Sequence, residues 1–520
     1  MLSHPIIANS YILVHRDEFP KGIDLPKIFA ETSDEINTEG EIEPKFGVLY
    51  IQSKKASQEK KPICIQFTLD ISESMSEGRP TKIDCLKETV MKLMNIIAEK
   101  DFELLVQVNI FNNQYNTIID LTKITKENLT ENINKIENIY VNGTTNIELA
   151  IDKTNEACEK YMKTNPDSKL FHLFLTDGHA TCGENRTKKL VEKISDSYTS
   201  IFIGYGEEHN SDLLYKFAEK NKDNSYQFIN EFEKTTHLCA ELFYEIMYPA
   251  IKIPELIVNG GKIFDALKNE WVSSIDFSSF VSQKEYEFPL CFVDEETVSV
   301  ELYGIPCHLF DDSSVHQVEE KILLDTIITL PPLMDATTNE IEKQNLTKDI
   351  FKYQTGKILY EVGNKKYRSR TKITNFFKIV HKYARENELL FDLQYLVIMD
   401  DLYTCYKTYG TNVSSMYSLA RHTSIRRQQC YRSPSPYKSA TINNITKQPS
   451  SYERTRSYTQ EYDYEMEFDS SDFSEEQPEF ENIMDEDSIE KYRENHTEIC
   501  LNETDELRRF TQEVVECSQK

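Results

Sequence analysis

No two cysteines of this chain stand in a C-x-x-C arrangement. Eleven of them, at positions 64, 85, 158, 182, 239, 291, 307, 405, 430, 500 and 517, are scattered through 520 residues. Zinc fingers and RING modules need thiolates paired at short fixed spacings, so that class is excluded. An odd, scattered set also argues against the disulfide framework of a secreted domain. Cys64 and Cys85 sit in apolar patterns and read as reduced core residues. Long hydrophobic runs are missing too: none reaches the ~20 residues that span a bilayer. At the N-terminus, Ile6-Ile7-Ala8 and Tyr11-Ile12-Leu13-Val14 are interrupted by Asn9 and Ser10, and no cationic leader precedes them. Such a segment is a poor signal peptide. These absences lead to the expectation of a cytoplasmic protein, not secreted and with no membrane partner, in which the sequons at Asn128, Asn142 and Asn345 are incidental. Catalytic motifs are equally scarce. G-x-S-x-G, H-E-x-x-H and G-x-x-x-x-G-K-[ST] do not occur, and Gly204-Tyr205-Gly206 lacks the third glycine of a dinucleotide loop. The sequence gives no support for an enzyme.

What is present begins with Asp70-Ile71-Ser72-Glu73-Ser74, which follows the apolar run Ile63-Cys64-Ile65-Gln66-Phe67-Thr68-Leu69. It sets one carboxylate and two hydroxyls at alternate positions where a buried strand gives way to a loop. Short side chains with hard oxygen atoms are what a Mg²⁺-type ion requires, with waters completing its shell. Two further pieces follow in order: Asn142-Gly143-Thr144-Thr145-Asn146 and Leu173-Phe174-Leu175-Thr176-Asp177-Gly178. Each piece has a plainer reading. Asp and Ser after a strand are common turn and cap residues, Thr145 is placed to cap a helix from Asn146, and Asp177-Gly178 is a frequent turn pair. Five such residues coinciding in order favour the metal.

Together the three pieces resemble the metal-ion-dependent adhesion site of a von Willebrand factor type A (vWA) domain, built from D-x-S-x-S, a threonine in a G-x-T loop and an aspartate in a T-D-G loop. The resemblance implies that Ser72, Ser74 and Thr145 hold a Mg²⁺ ion directly, with Mn²⁺ or Ca²⁺ as alternatives. It implies that Asp70 and Asp177 act through waters, and that a partner protein's Asp or Glu takes the open position. His172, inside the strand before Asp177, reads as a core histidine, and His179 as a loop histidine.

Periodicity supports the same architecture independently. Runs at 63–69, 104–111, 170–175 and 201–205 are short, apolar and rich in Ile, Val, Leu and Phe, as doubly covered strands are. Between them, 81–98 and 147–161 carry apolar residues on one helical stripe. Alternating strands and helices predict a mainly parallel sheet with helices on both faces, the Rossmann-like α/β form of a vWA domain. Ligands of such sheets bind outside the carboxyl ends of the strands, where Asp70 and Asp177 fall.

The expected organisation is an N-terminal segment over 1–44 and a strand within 45–60 that pairs with a later β domain. The vWA domain follows over 61–248, with its last helix at 233–248, then a β-sandwich-like domain over 249–312, with one strand at 270–277, and a helical region over 313–410, with its first helix at 318–329. A disordered tail over 411–520, with a short terminal helix at 490–516, completes the chain. The vWA domain would then be an insertion in the β domain. In the tail, residues 421–456 hold eight Lys or Arg and one Glu, and 461–490 hold fourteen Asp or Glu and no Lys or Arg. The acidic block supplies half of the net charge of −28, and neither block holds enough apolar residues to form a core. Nucleic acid is a poor partner for a basic stretch without a fold or an aromatic platform. The acidic block is a candidate self-ligand for the metal site, acting at the effective concentration of a tether. The function expected is metal-dependent protein–protein interaction. The alternatives are a scaffold component with a vestigial metal site, or a substrate adaptor for an enzyme supplied in trans.

Overall fold

In this computed structural model the described residues are 4–16, 44–57, 62–78, 81–100, 103–205, 209–229, 235–307, 320–330, 336–364, 370–390, 392–426 and 509. Two antiparallel strands, β1 (Ile7–Val14) and β2 (Lys45–Ser53), come first. The chain then enters an α/β unit through β3 (Ile63–Asp70), which is buried at every position. Helix α1 (Lys82–Lys100), β4 (Leu104–Phe111), β5 (Tyr115–Lys123), α2 (Lys126–Glu137) and α3 (Ile147–Thr164) follow. After them come β6 (Lys169–Thr176), α4 (Thr187–Lys193), β7 (Thr199–Tyr205), α5 (Ser211–Glu219), β8 (Ser225–Ile229) and α6 (Thr235–Met247). These six strands lie in the order β5-β4-β3-β6-β7-β8, all parallel except the edge strand β5.

The two faces of β3 carry different chemistry. Ile63, Ile65, Phe67 and Leu69 share a core with Leu86, Val90, Leu93 and Met94 of α1 and with Ala240 and Phe243 of α6. On the opposite face Cys64 packs with Cys158 and Tyr161 of α3. Beyond it the Gln66 amide oxygen accepts from the Cys158 thiol, and Thr68 Oγ1 lies 2.9 Å from Thr154 Oγ1. His172 bridges Thr68 Oγ1 (3.1 Å) and Ser200 Oγ (3.2 Å) through its two ring nitrogens. Burial pushes that imidazole down to about 3, so it is neutral. Strand alternation continues this polar face to Asp70 at the carboxyl end.

The strands before and after the α/β unit pair with one another. β9 (Pro249–Asn259) follows α6, and then come β10 (Gly261–Asp265), β11 (Glu270–Val272), β12 (Ser274–Asp276), β13 (Ser279–Val281), β14 (Glu285–Phe292), β15 (Ser299–Pro306) and β16 (Ile322–Ile328). One sheet runs β1-β2-β14-β10-β11, and the other runs β12-β9-β15-β16, with β13 also on β9. Leu49, Ile51 and Leu290 of the first share a core with Leu256, Val300 and Leu302 of the second. The turn between β13 and β14 meets both crossings into the α/β unit. On the incoming side, Ser53 Oγ donates to Val281 O and Ala56 N donates to Ser282 Oγ. On the outgoing side, Ser282 N donates to Tyr248 O (2.9 Å), and the Lys284 ammonium lies 3.4 Å from Glu245 of α6.

Four helices complete the described chain: α7 (Ala336–Gly363), α8 (Arg370–Glu386), α9 (Leu393–Thr408) and α10 (Asn412–Arg426). Leu346, Ile350 and Tyr353 of α7 cover Phe46, Val48 and Tyr50 on the outer face of β2. Met416, Tyr417, Leu419 and Ala420 of α10 share the core of α5 and β8. There Tyr215 OH lies 3.2 Å from His422 Nδ1, and Gln227 Nε2 donates to Ser424 Oγ.

The segment over 1–44 contains strand β1, and the structure corrects three sequence expectations. The helix expected over 318–329 is strand β16: Ile322, Leu324 and Ile327 suit either period locally, and pairing with β15 decides the matter. The single strand expected over 270–277 is β11 and β12, one in each sheet, with Ser273 between them. The tail does not begin at 411, because α10 is helical, and Ser414 through Ser424 are buried. Its small Ser, Thr and Ala side chains let it pack on several elements at once, which removes the one-sided apolar stripe that marks a surface helix. Residues 17–43, the basic and acidic blocks beyond 426 and the helix expected near 490–516 lie outside the described residues, apart from Arg509. Among the described residues no helix is long and apolar enough to cross a membrane, and seven cysteines, including Cys64, Cys85 and Cys182, are free thiols.

Candidate metal site

The site forms at the carboxyl ends of β3 and β6, where three loops meet. Asp70 is fully buried and its carboxylate folds the first loop onto itself: Asp70 Oδ1 accepts from Ser72 N at 2.9 Å. A 3₁₀ turn at Glu73–Ser76 follows. Ser72 stands at the cap position of that turn, yet its hydroxyl makes no capping bond. It lies instead 3.2 Å from the Ser74 hydroxyl. The plain reading of Ser72 as a cap residue is therefore not what the structure shows.

The second loop is tied to the first by its backbone. Asn142 N donates to Ile71 O (2.9 Å), and Glu73 N donates to Gly143 O (3.1 Å). Gly143 has φ +74°, a left-handed conformation that favours glycine. Asn146 caps α3 by accepting from Leu149 N at 2.9 Å, which leaves Thr145 free of that duty. Thr145 is buried, its N–H donates to Thr181 Oγ1 (2.8 Å), and its carbonyl accepts from Thr181 N and Cys182 N. It is thereby fixed between the first and third loops.

In the third loop, Thr176 Oγ1 donates to Asp70 Oδ2 at 2.5 Å and accepts from Gly178 N at 2.8 Å. Gly178 has φ +74°, and Asp177 O accepts from Asn210 N. Asp177 is fully buried. Its Oδ2 lies 3.2 Å from the Lys82 ammonium, while its Oδ1 has no hydrogen-bond partner. Burial raises the Asp70 carboxyl to about 6, and the charge of Asp177 pushes it the same way, against the hydrogen bonds from Thr176 and Ser72. The fold thus buries two interacting carboxylates and leaves one oxygen without a partner, a costly arrangement that a cation would relieve.

All five sequence-selected residues belong to these three loops. His172 is the core histidine expected, and His179 is exposed on the third loop. Two participants were missed. Thr176 orients Asp70, and its place beside Asp177 in the motif was the available signal. Lys82, the first residue of α1, had no motif to mark it. Among the described residues no three His, Cys, Asp or Glu side chains converge on a metal position. The donors here are two carboxylates and three hydroxyls, hard oxygens that fit a Mg²⁺-type ion.

Residues 65–241 match the family description "von Willebrand factor type A domain". This part of the chain is a vWA domain. The vWA domain and its surroundings are similar to inter-alpha-trypsin inhibitor heavy chain H3 of Rattus norvegicus, 28% identical over 228 residues, which cover 42% of this chain and 25% of that protein. Heavy chain H2 of Mesocricetus auratus is 24% identical over 235 residues, covering 44% and 24%. The chain thus matches about a quarter of the length of these relatives. Among solved structures, a von Willebrand factor type A protein from Catenulispora acidiphila aligns with TM-score 0.47 and 11% identity, over 74% of this chain and 89% of that one. The relatives overturn the cytoplasmic expectation, because inter-alpha-trypsin inhibitor heavy chains are secreted proteins. Scattered thiols are a weak guide to compartment, because a domain of this size closes its core by packing and is stable without disulfides.

Proposed function

We propose that the vWA domain is a metal-dependent protein-interaction module that engages an Asp or Glu of a protein partner. The observation that supports this most is the buried, unpartnered Oδ1 of Asp177, a carboxylate whose charge acts on the buried Asp70. Ser72, Ser74 and Thr145 would hold a Mg²⁺ ion directly, and Asp70 and Asp177 would do so through waters, with Mn²⁺ or Ca²⁺ as alternatives. Such an ion supplies a positive charge with an open position for a carboxylate oxygen. The chain's own part is to hold the donors still. The Asp70–Ser72 turn, the Thr176–Asp70 bond and the Thr145–Thr181 bond each fix one loop. The reading is one of binding rather than catalysis. The two-sheet domain and the helices then serve as the mount of the vWA domain.

Isothermal titration of Mn²⁺ into the full chain, wild type beside Asp177→Ala, tests the site. Binding by wild type that the substitution abolishes supports it, whereas equal binding, or none by folded wild type, rejects it. Water proton relaxation of the Mn²⁺-loaded chain then reports the open position. Its enhancement should fall when an Asp-containing peptide is added and persist with the matching Asn peptide.

A further inference from the structure

Lys82 occupies the space between two of the three loops. Its side chain is only 14% exposed, and its ammonium lies 3.2 Å from Asp177 Oδ2 and 3.0 Å from Glu77 Oε2. Its backbone N–H donates to Glu77 O, and Glu77 N donates to Ser74 O, so the lysine and the hydroxyl loop are joined in a short series of bonds. The two carboxylates it touches differ sharply: Asp177 is buried and Glu77 is 63% exposed. Lysine carries a compact point charge on a flexible four-carbon stem, so exchanging one partner for the other needs little more than side-chain rotation.

We infer that Lys82 is the resident counter-cation of the site, neutralising Asp177 when no metal is bound and withdrawing to Glu77 when one is. The inference rests on the metal reading above and deepens it. A buried carboxylate left beside Asp70 without a cation would destabilise the loops. The lysine lets the domain stay folded without metal, and its charge opposes a divalent ion acting on the same carboxylate. Glu77 is the alternate acceptor, held next to the hydroxyl loop that a metal would engage. A salt bridge that merely braced α1 would stabilise the chain equally with and without metal, and would leave metal affinity unchanged.

The experiment uses the full chain, with Mn²⁺ as titrant, and thermal melting in EDTA and in saturating Mn²⁺. Lys82→Met keeps the apolar stem and removes the charge. It should bind Mn²⁺ about tenfold tighter than wild type, within the usual range of coupling between two ligands. It should also melt below wild type in EDTA, with that gap closing in Mn²⁺. Lys82→Arg, which keeps the charge, should stay near wild type in affinity. Glu77→Gln alters an exposed side chain and so preserves the fold. It should weaken Mn²⁺ binding severalfold, and this effect should vanish in the Lys82→Met background. Unchanged or weaker affinity in Lys82→Met overturns the inference while leaving the metal site standing. Should Lys82→Met fail to fold, unchanged affinity in Glu77→Gln overturns it equally. Absence of binding in wild type and in all three single variants removes the metal reading and this inference together.

Discussion

Asp177 and Asp401 are both buried aspartates facing a cation, and they are finished differently. Asp401 Oδ1 accepts from Tyr417 OH (2.6 Å) and Arg421 Nε (2.9 Å), and its Oδ2 accepts from Arg421 Nη2 (2.9 Å). The pair joins α9 to α10, with both side chains 3% exposed or less. A planar guanidinium satisfies both carboxylate oxygens at once, and that is a structural tie. Asp177 receives a single ammonium on one oxygen and nothing on the other. The closed carboxylate holds the helices together, and the open one is the feature on which the proposed metal site rests.

Paired substitutions test the contrast most strongly. Asp401→Asn leaves Arg421 buried and should cost about 3 kcal/mol in urea unfolding, with Mn²⁺ affinity unchanged. Asp177→Asn in EDTA should cost under ~1 kcal/mol and abolish metal binding, as expected where function rather than stability set the residue. Equal stability losses would break the comparison. His172 extends it to a buried neutral group. Its folded value of about 3 lies below the ordinary 6.5, so the stability contributed by its neutral form is complete above pH 6.5 and is lost as pH falls toward 3. Between pH 7.5 and 5 the loss should be about 2 kcal/mol, and a His172→Gln chain should lack that component when unfolding is followed against pH. Tyr417→Phe removes one donor from the closed carboxylate and should cost about 1.5 kcal/mol by the same urea assay. The smallest change is expected at Tyr140, which is 74% exposed two residues before the Asn142 loop. Tyr140→Ala should alter unfolding by less than ~0.5 kcal/mol and leave Mn²⁺ affinity untouched.

The proposed metal site was legible because its candidate ligands are local. Asp70, Ser72 and Ser74 fall within five residues, and Thr145 and Asp177 follow in loops whose glycines and flanking strands announce themselves. Lys82 was not legible: one lysine among 59 Lys and Arg acquires its role only when α1 is set beside the third loop. The closed carboxylate was hidden for the same reason, since Asp401 and Arg421 belong to separate helices. The α/β sheet could be read because its central strands are covered on both faces and are dominated by Ile, Val, Leu and Phe, with only isolated polar residues such as Gln66 and His172 among them. Strand β16 could not, because its apolar residues match two periods and the hydrogen bonds of β15 choose between them. In α10, Ser, Thr and Ala lie where a surface helix would show a polar face, and only its neighbours on several sides explain their burial.

The turn from Val281 to Lys284 has a mechanical meaning. The chain enters the vWA domain past Ser53 and Ala56 and leaves it past Tyr248, and both passages are fastened to this one turn. A domain hung on two separate threads could swing about either. One bolted at a common fulcrum transmits load as a rigid bracket, so a tug on a partner held at the proposed metal site would pass through α6 into β14, a central strand of its sheet.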